Sequence, residues 1–379
     1  MIPYGRQWVD EDDIAAVAAC LRGDWLTTGP AVAAFEQAIC SASDAAYAVA
    51  VNSGTAALHC AYFAAGLGPG DEIVTSPLTF AATANAALYL GAKPVFADVC
   101  SETGCLDPQA AAAAVTDRTK LIVPVDFAGQ TADYQAFRVL ATRHGLILVA
   151  DAAHSFGACG PRGGKVGTLA DLTALSFHPV KPVTTGEGGA VVTSDPRWAK
   201  RAAQFRTHGI TRDPADLMAD EGPWHYEQHE LGYNYRITDL QCALGCSQVA
   251  KLGQFIARRR SIAARYREGL RECTGRLRLP AHTDDSSHGY HLWVVRVQEA
   301  SRRRPFFERL RALGLGVQVH YRPVYLHPYY QQLGYRAGIC PVAEDFAARC
   351  VSLPIFPKMS DDEVDSSIAA VRQAVTEVL

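Results

Sequence analysis

From about residue 44 to residue 195, short apolar runs rich in β-branched residues alternate with longer stretches of helical composition. The runs read as strands at residues 46–51, 72–76, 94–99, 121–125, 146–150, 172–177 and 190–193. The stretches between them read as helices at 55–65, 80–90, 108–115 and 134–144, each ending near a glycine or a turn residue. Strands alternating with helices in this way predict a mostly parallel sheet flanked by helices. Two helices precede it, at 10–22 after an acidic start and at 30–39, where Pro30 opens the first turn at no hydrogen-bonding cost. A proline-free helical stretch at 238–271 then leads to a second α/β unit containing 292–297, 316–319 and a final helix from Asp361. The fold class expected is therefore α/β. A large domain at 1–250, including the N-terminal helices, meets a smaller domain at 251–379 across a cleft.

Composition narrows the function classes. Hydrophobic residues make up 49% and charged residues 20% of the 379 positions, a balance that predicts a fully folded chain. A formal net charge of -3 supplies no field for nucleic acid, and the runs Arg258-Arg259-Arg260 and Arg302-Arg303-Arg304 are short enough to be solvated helix faces. The eleven cysteines are scattered without a CxxC pair, and Cys242 and Cys246 have no second pair nearby to complete a metal set, so no metal is expected. The acidic start up to Asp13 does not match a signal peptide and no apolar run reaches spanning length, which predicts a cytoplasmic protein without a membrane partner.

Four ordered segments carry candidate chemistry, each expected just after a strand: Asn52-Ser53-Gly54-Thr55, Asp151-Ala152-Ala153-His154, Ser176-Phe177-His178-Pro179-Val180-Lys181 and Gly186-Glu187-Gly188-Gly189. In an open α/β sheet such segments converge beyond the carboxyl ends of the strands. Ser53-Gly54-Thr55 turns a strand into a helix, where free N–H groups, the helix dipole and two hydroxyls suit a phosphate; an ordinary helix cap reads the same residues. Asp151 ends an apolar strand, where a carboxylate needs a positive or protonated partner such as a pyridinium nitrogen; a helix cap or a buried salt bridge are the alternatives. Lys181 stands in a Pro- and Gly-flanked loop, either as a surface lysine or as a desolvated amine able to attack an aldehyde and shuttle protons.

Taken together the segments resemble the DegT/DnrJ-type sugar aminotransferases, a branch of the aspartate-aminotransferase fold (fold type I). The likeness extends over Leu26-Thr27-Thr28-Gly29-Pro30, Pro77-Leu78-Thr79-Phe80, Gly232-Tyr233-Asn234-Tyr235-Arg236 and Val319-His320-Tyr321. The resemblance implies pyridoxal 5'-phosphate as cofactor, with pyridoxamine 5'-phosphate in the half-reaction, and a mostly parallel seven-stranded sheet in the large domain. It implies that Lys181 forms the internal aldimine, that Asp151 pairs with the pyridine nitrogen and that Phe80 stacks on the ring. Ser53, Gly54, Thr55 and Ser176 would hold the phosphate. Asn234 would reach it from the other subunit of a homodimer with shared sites. His154, with Gln130, would neighbour the cofactor's hydroxyl edge. Some members carry histidine at the lysine position and act as dehydratases, so Lys181 implies amino transfer.

The segments around His178 and Gln318–Tyr325 are similar to the branch that aminates C4 of a UDP-linked 4-keto-6-deoxy-N-acetylhexosamine in pseudaminic-acid biosynthesis, usually from L-glutamate. That likeness makes Thr28, His178, His320 and Tyr321 the candidate substrate contacts. Tyr325, Tyr329 and Tyr330 read either as sugar contacts or as core. Competing readings are another keto nucleotide sugar or an aminocyclitol ketone as acceptor, and a non-catalytic cofactor-binding regulator.

Overall fold

A computed structural model describes residues 1–281 and 288–379. In chain order the elements begin with helices α1 (Glu11–Arg22) and α2 (Pro30–Ser43), strand β1 (Tyr47–Val51), α3 (Gly54–Ala64), β2 (Glu72–Thr75), α4 (Ala82–Tyr89) and β3 (Lys93–Phe96). They continue with α5 (Pro108–Ala114), β4 (Thr119–Val123), α6 (Tyr134–His144), β5 (Ile147–Asp151), β6 (Leu172–Ser176), β7 (Gly189–Thr193) and α7 (Pro196–Arg206). The two-residue strands β8 (Ile210–Thr211) and β9 (Glu227–Gln228) precede α8 (Asp239–Ala250), α9 (Leu252–Gly269), β10 (Leu277–Arg278) and β11 (Trp293–Val297). Helices α10 (Arg303–Ala312), α11 (Pro328–Gln332) and α12 (Pro341–Arg349), strand β12 (Cys350–Leu353) and α13 (Asp361–Val378) close the chain.

All seven strands expected in the first half form one sheet, in the order β1-β7-β6-β5-β4-β2-β3. β2 to β6 run parallel, and β7 is antiparallel to both its neighbours. Alternate residues of one strand enter opposite cores: Ile122 packs with Phe137 and Phe177 on one face, while Leu121 and Val123 pack with α3 and α7 residues on the other. Burial on both faces is why these strands read as continuous apolar runs rather than as alternating ones.

Two expectations change. The stretch 238–271 is two helices, because the chain turns at Lys251, whose ammonium reaches Asp10 and lies 3.1 Å from Asp13 at the start of α1. Helix composition does not disclose a tertiary ion pair. Residues 316–319 form no strand: the N–H of Gly316 donates to the carbonyl of Ile2 and only Gln318 bridges, to Ser352. β12 instead pairs with β11 in the small sheet β10-β11-β12. Helix α9 serves two cores, with Leu252, Phe255 and Ile256 on the large-sheet cluster and Ile262 and Tyr266 on the small one. We propose 250/251 as the topological division of the chain, at the start of this shared helix. Among the described residues no helix is long and apolar enough to cross a membrane.

Candidate active site

The carboxyl ends of β1, β5 and β6 open on one edge of the sheet. The fourth motif, expected after a strand, precedes one: Gly186–Gly189 leads into β7, which runs backwards and so starts at that same edge. Gly189 pairs with Val51 on one side and Ser176 on the other, which draws the Ser53 turn and the Ser176 loop together.

Ser53 caps α3, its hydroxyl accepting from the N–H of Ala56 at 3.1 Å, so the ordinary capping role is present. The hydroxyl keeps its own proton to donate, and the first N–H groups of the helix, those of Gly54 and Thr55, have no intrahelical partner. A Cβ at Gly54 would lie 2.8 Å from the Ser176 Cβ and 2.9 Å from its Oγ. Only glycine lets this turn approach Ser176, which leaves an anion cradle of N–H and O–H donors. Gly54→Ala should cost about 1–3 kcal/mol of strain at this contact. Measured by fluorescence titration of the cofactor-free protein, pyridoxal phosphate should then bind roughly tenfold more weakly or worse.

Asp151 is the last residue of β5 and 5% exposed. Its Oδ2 accepts from the Thr83 hydroxyl at 2.6 Å and its Oδ1 from the Ala153 N–H at 3.2 Å. Thr79 lies 2.7 Å behind Thr83, completing a buried chain of hydroxyls. Burial pushes the Asp151 carboxyl up, and the hydrogen bonds and the Lys181 charge only partly oppose this. A protonated ring nitrogen would be the cation such a carboxylate lacks.

Lys181 follows β6 in a loop whose N–H donates to the His178 carbonyl at 2.9 Å. Desolvation pulls the amine down to about 8, with Asp151 pulling the other way. Near neutral pH part of the population is the free amine, the form that attacks an aldehyde. Its charge also acts on His154, His320 and His291, so the lysine shares one site with three imidazoles.

His154 is buried and its Nε2 lies 3.2 Å from the Tyr321 hydroxyl, the two rings stacked at 20°. His320 holds Ser352 through Nδ1 at 2.8 Å and packs on Tyr4. Burial lowers His320 to about 4 and raises the Tyr321 hydroxyl, so both rings stay neutral. Phe80 stands 66% exposed beside this edge, just ahead of the helix that carries Thr83. An aromatic left this open has a free face for a flat ring.

The other expected residues are less converged within one chain. His178 is exposed. Asn234 is exposed on the segment after β9, with its carbonyl held by the Asn52 amide at 3.4 Å. Thr28 sits at φ 53° and lines a hollow of about 230 Å³ with Glu36, Arg206 and Arg236 rather than with Lys181. Gln130 bridges through its backbone to His288. Tyr325 and Tyr330 are core residues, their hydroxyls donating to Glu344 and Asn85 at 2.6 Å, while Tyr329 is exposed. Sequence reasoning missed Thr83, His291 and Asp126. Thr83 carried a weak signal at most, a hydroxyl in the first turn of the helix that follows the Pro77–Phe80 motif. His291 and Asp126 carried none, because only tertiary packing brings them to His154 and Ser155.

A lysine with a lowered pKa, a buried carboxylate and a cradle of N–H and O–H donors at the carboxyl edge of this sheet define a pyridoxal-phosphate enzyme of fold type I. The chain belongs to the DegT/DnrJ/EryC1/StrS aminotransferase family, whose model matches residues 7–372. It is a pyridoxal-phosphate-dependent sugar aminotransferase. It is 41% identical over 379 residues to the spore coat polysaccharide biosynthesis protein SpsC of Bacillus subtilis (strain 168), covering 99% of this chain and 97% of that protein. Among solved structures it resembles PseC of Helicobacter pylori, an aminotransferase involved in the biosynthesis of pseudoaminic acid, at TM-score 0.92 and 30% identity over 99% of each chain. It is also similar to the putative sugar aminotransferase Spr1654 of Streptococcus pneumoniae in its PMP form, at TM-score 0.93 and 30% identity over 100% of each chain, and in its PLP form.

Proposed function

We propose that the protein moves an amino group from L-glutamate to C4 of a UDP-linked 4-keto-6-deoxy-N-acetylhexosamine, working as a cytoplasmic homodimer. The observation that carries this reading is the joint field of Lys181 and Asp151 beside the His154–Tyr321–His320 wall. Bound pyridoxal phosphate would supply an aldehyde and an electron sink. Lys181 carries it through its amine and moves the proton at the substrate carbon. Asp151 keeps the ring nitrogen protonated, and the Gly54 and Thr55 N–H groups with Ser176 hold the phosphate. Phe80 covers one face, and His154 stands at the hydroxyl edge. Neutral His320 and Tyr321, with His178, offer the flat apolar faces and hydrogen-bonding tips a sugar requires; Thr28, which lines a separate hollow in this chain, joins them through the family resemblance.

The likeness to PseC supports the sugar class, and the exposed Met218, Trp224, Leu231 and Tyr233 around Asn234 support a second copy covering that segment. An amino-acceptor panel tests the reading. The yellow protein should bleach on adding L-glutamate and release 2-oxoglutarate, and colour should return with the UDP-4-keto sugar faster than with a 3-keto sugar or an aminocyclitol ketone. Recovery with an aminocyclitol alone would replace the proposed acceptor. Failure to bleach with glutamate would remove it as donor, and a monomer by sedimentation would remove the shared site.

A further inference from the structure

Behind His154 lies a second buried imidazole, that of His291, 4% exposed, with ring centroids 4.3 Å apart and planes tilted by 42°. Each of the two rings has its Nδ1 buried without a hydrogen-bond partner in the structure. Two unpartnered ring nitrogens on neighbouring rings would be satisfied together by one N–H···N bond if the rings turn toward one another.

The backbone around the pair allows little else. Gly129, at φ +94°, separates the two segments, and a Cβ there would lie 2.8 Å from the backbone nitrogen of His291 and 2.9 Å from the backbone carbonyl oxygen of His154. Arg259, 1% exposed, donates through Nη1 to the carbonyls of Tyr290, His291 and Ile355 at 3.1, 3.3 and 3.0 Å. A buried guanidinium thus holds the strand entry that presents His291.

We propose that His291 is a positioning residue that sets the tautomer of His154 and, through it, the direction of the hydrogen bond to the Tyr321 hydroxyl. His291 donates from Nδ1 to Nδ1 of His154. The proton of His154 then resides on Nε2 and is donated to the Tyr321 oxygen, which frees the tyrosine O–H to donate to an oxygen of the bound cofactor or keto substrate. With the opposite tautomer Tyr321 would spend its proton on His154 and offer the site lone pairs only. The charged and titratable groups facing this relay are Lys181 and His320 toward both rings, Arg259 toward His291, and Asp151 and Tyr4 toward Tyr321. Burial lowers both imidazoles well below their ordinary value, which keeps the relay neutral.

The proposal rests on the assignment of His154 and Tyr321 to the active site, and two readouts separate the tautomer from that assignment. The holoenzyme is prepared with 15N-labelled histidine, and the His154 signals are those absent from His154→Asn. In the wild type its Nε2 should be the protonated nitrogen. In His291→Leu the proton should move to Nδ1. In His291→Asn, whose amide N–H stands near the position of the original donor, the wild-type pattern should return. Turnover with glutamate should fall about 10-fold in the leucine variant with KM within about twofold, and recover largely in the asparagine variant, as for loss of an outer partner of a site ligand. An unchanged nitrogen pattern in His291→Leu, or an asparagine variant that does not restore it, overturns the tautomer link. An inverted pattern with unchanged turnover overturns the place of His154 and Tyr321 in the site while leaving the link standing.

Discussion

Lys181→Arg should leave a folded protein that has lost amino transfer by roughly 10⁴-fold or more and shows no visible band from a lysine-bound cofactor, read by stopped-turnover assay and absorbance. Arginine keeps the positive charge and much of the length, so the field that Asp151, His154 and His320 experience is retained. It cannot lose its proton in this range, so both the nucleophile and the proton carrier are gone. The same physics gives the native enzyme a pH signature. Lys181 titrates at about 8, and below that value most of the amine is protonated and cannot attack the aldehyde. Cofactor capture by the cofactor-free protein should therefore quicken as pH rises and level off above about 8. A capture rate that keeps climbing toward the ordinary lysine range would mean that the amine is not desolvated as the structure has it. Visible turnover in Lys181→Arg would remove the lysine from the chemistry altogether.

Much of this site was legible because its parts sit at strand ends, where local sequence is most constrained. The apolar run ending in Asp151 and the strand-to-helix turn at Gly54 each break a pattern that the fold otherwise keeps: a carboxylate at the end of a buried strand, and a turn too tight for any side chain. Their order along the chain then carried the family resemblance. The remainder was hidden for two physical reasons. First, the contacts that tune the site are tertiary: Thr83 reaches Asp151 across 68 residues, and His291 reaches His154 from the segment that leads into β11 of the smaller sheet. Second, a property of the second copy is not written in one chain, so Asn234 is exposed here and the resemblance alone connects it to the cofactor. The tyrosines, open between sugar contact and core by residue type, are divided by packing. Tyr325 and Tyr330 suit a sugar by type, yet their hydroxyls find protein partners and their rings fill the core around Phe96.

Asp151→Asn should lower turnover by about 10²–10⁴-fold while leaving the protein folded and able to bind cofactor. Asparagine preserves the volume; its one carbonyl oxygen can still accept from the Ala153 N–H, and its amide N–H can donate to the Thr83 hydroxyl, which turns its own proton to the Phe80 carbonyl, so the loss chiefly reports the charge that would hold the ring nitrogen protonated. Two further signs follow. Asp151 raises the Lys181 pKa, so its removal should move the midpoint of cofactor capture to lower pH than the wild-type value of about 8, although turnover falls. The carboxyl itself has its folded pKa raised by burial, which means that the folded state binds more protons than the unfolded one and that Asp151 costs stability at pH values above its unfolded value. In the cofactor-free state the asparagine variant should then melt at least as high as the wild type at neutral pH. The difference should shrink as the pH falls through the raised folded value and vanish below about 4, where the carboxyl becomes protonated in both states. A variant that lost turnover through misfolding would instead melt lower at every pH and leave the capture midpoint in place. Opposite movements of stability and activity are the expected mark of a charge kept in the protein for its cofactor and against the interest of the fold.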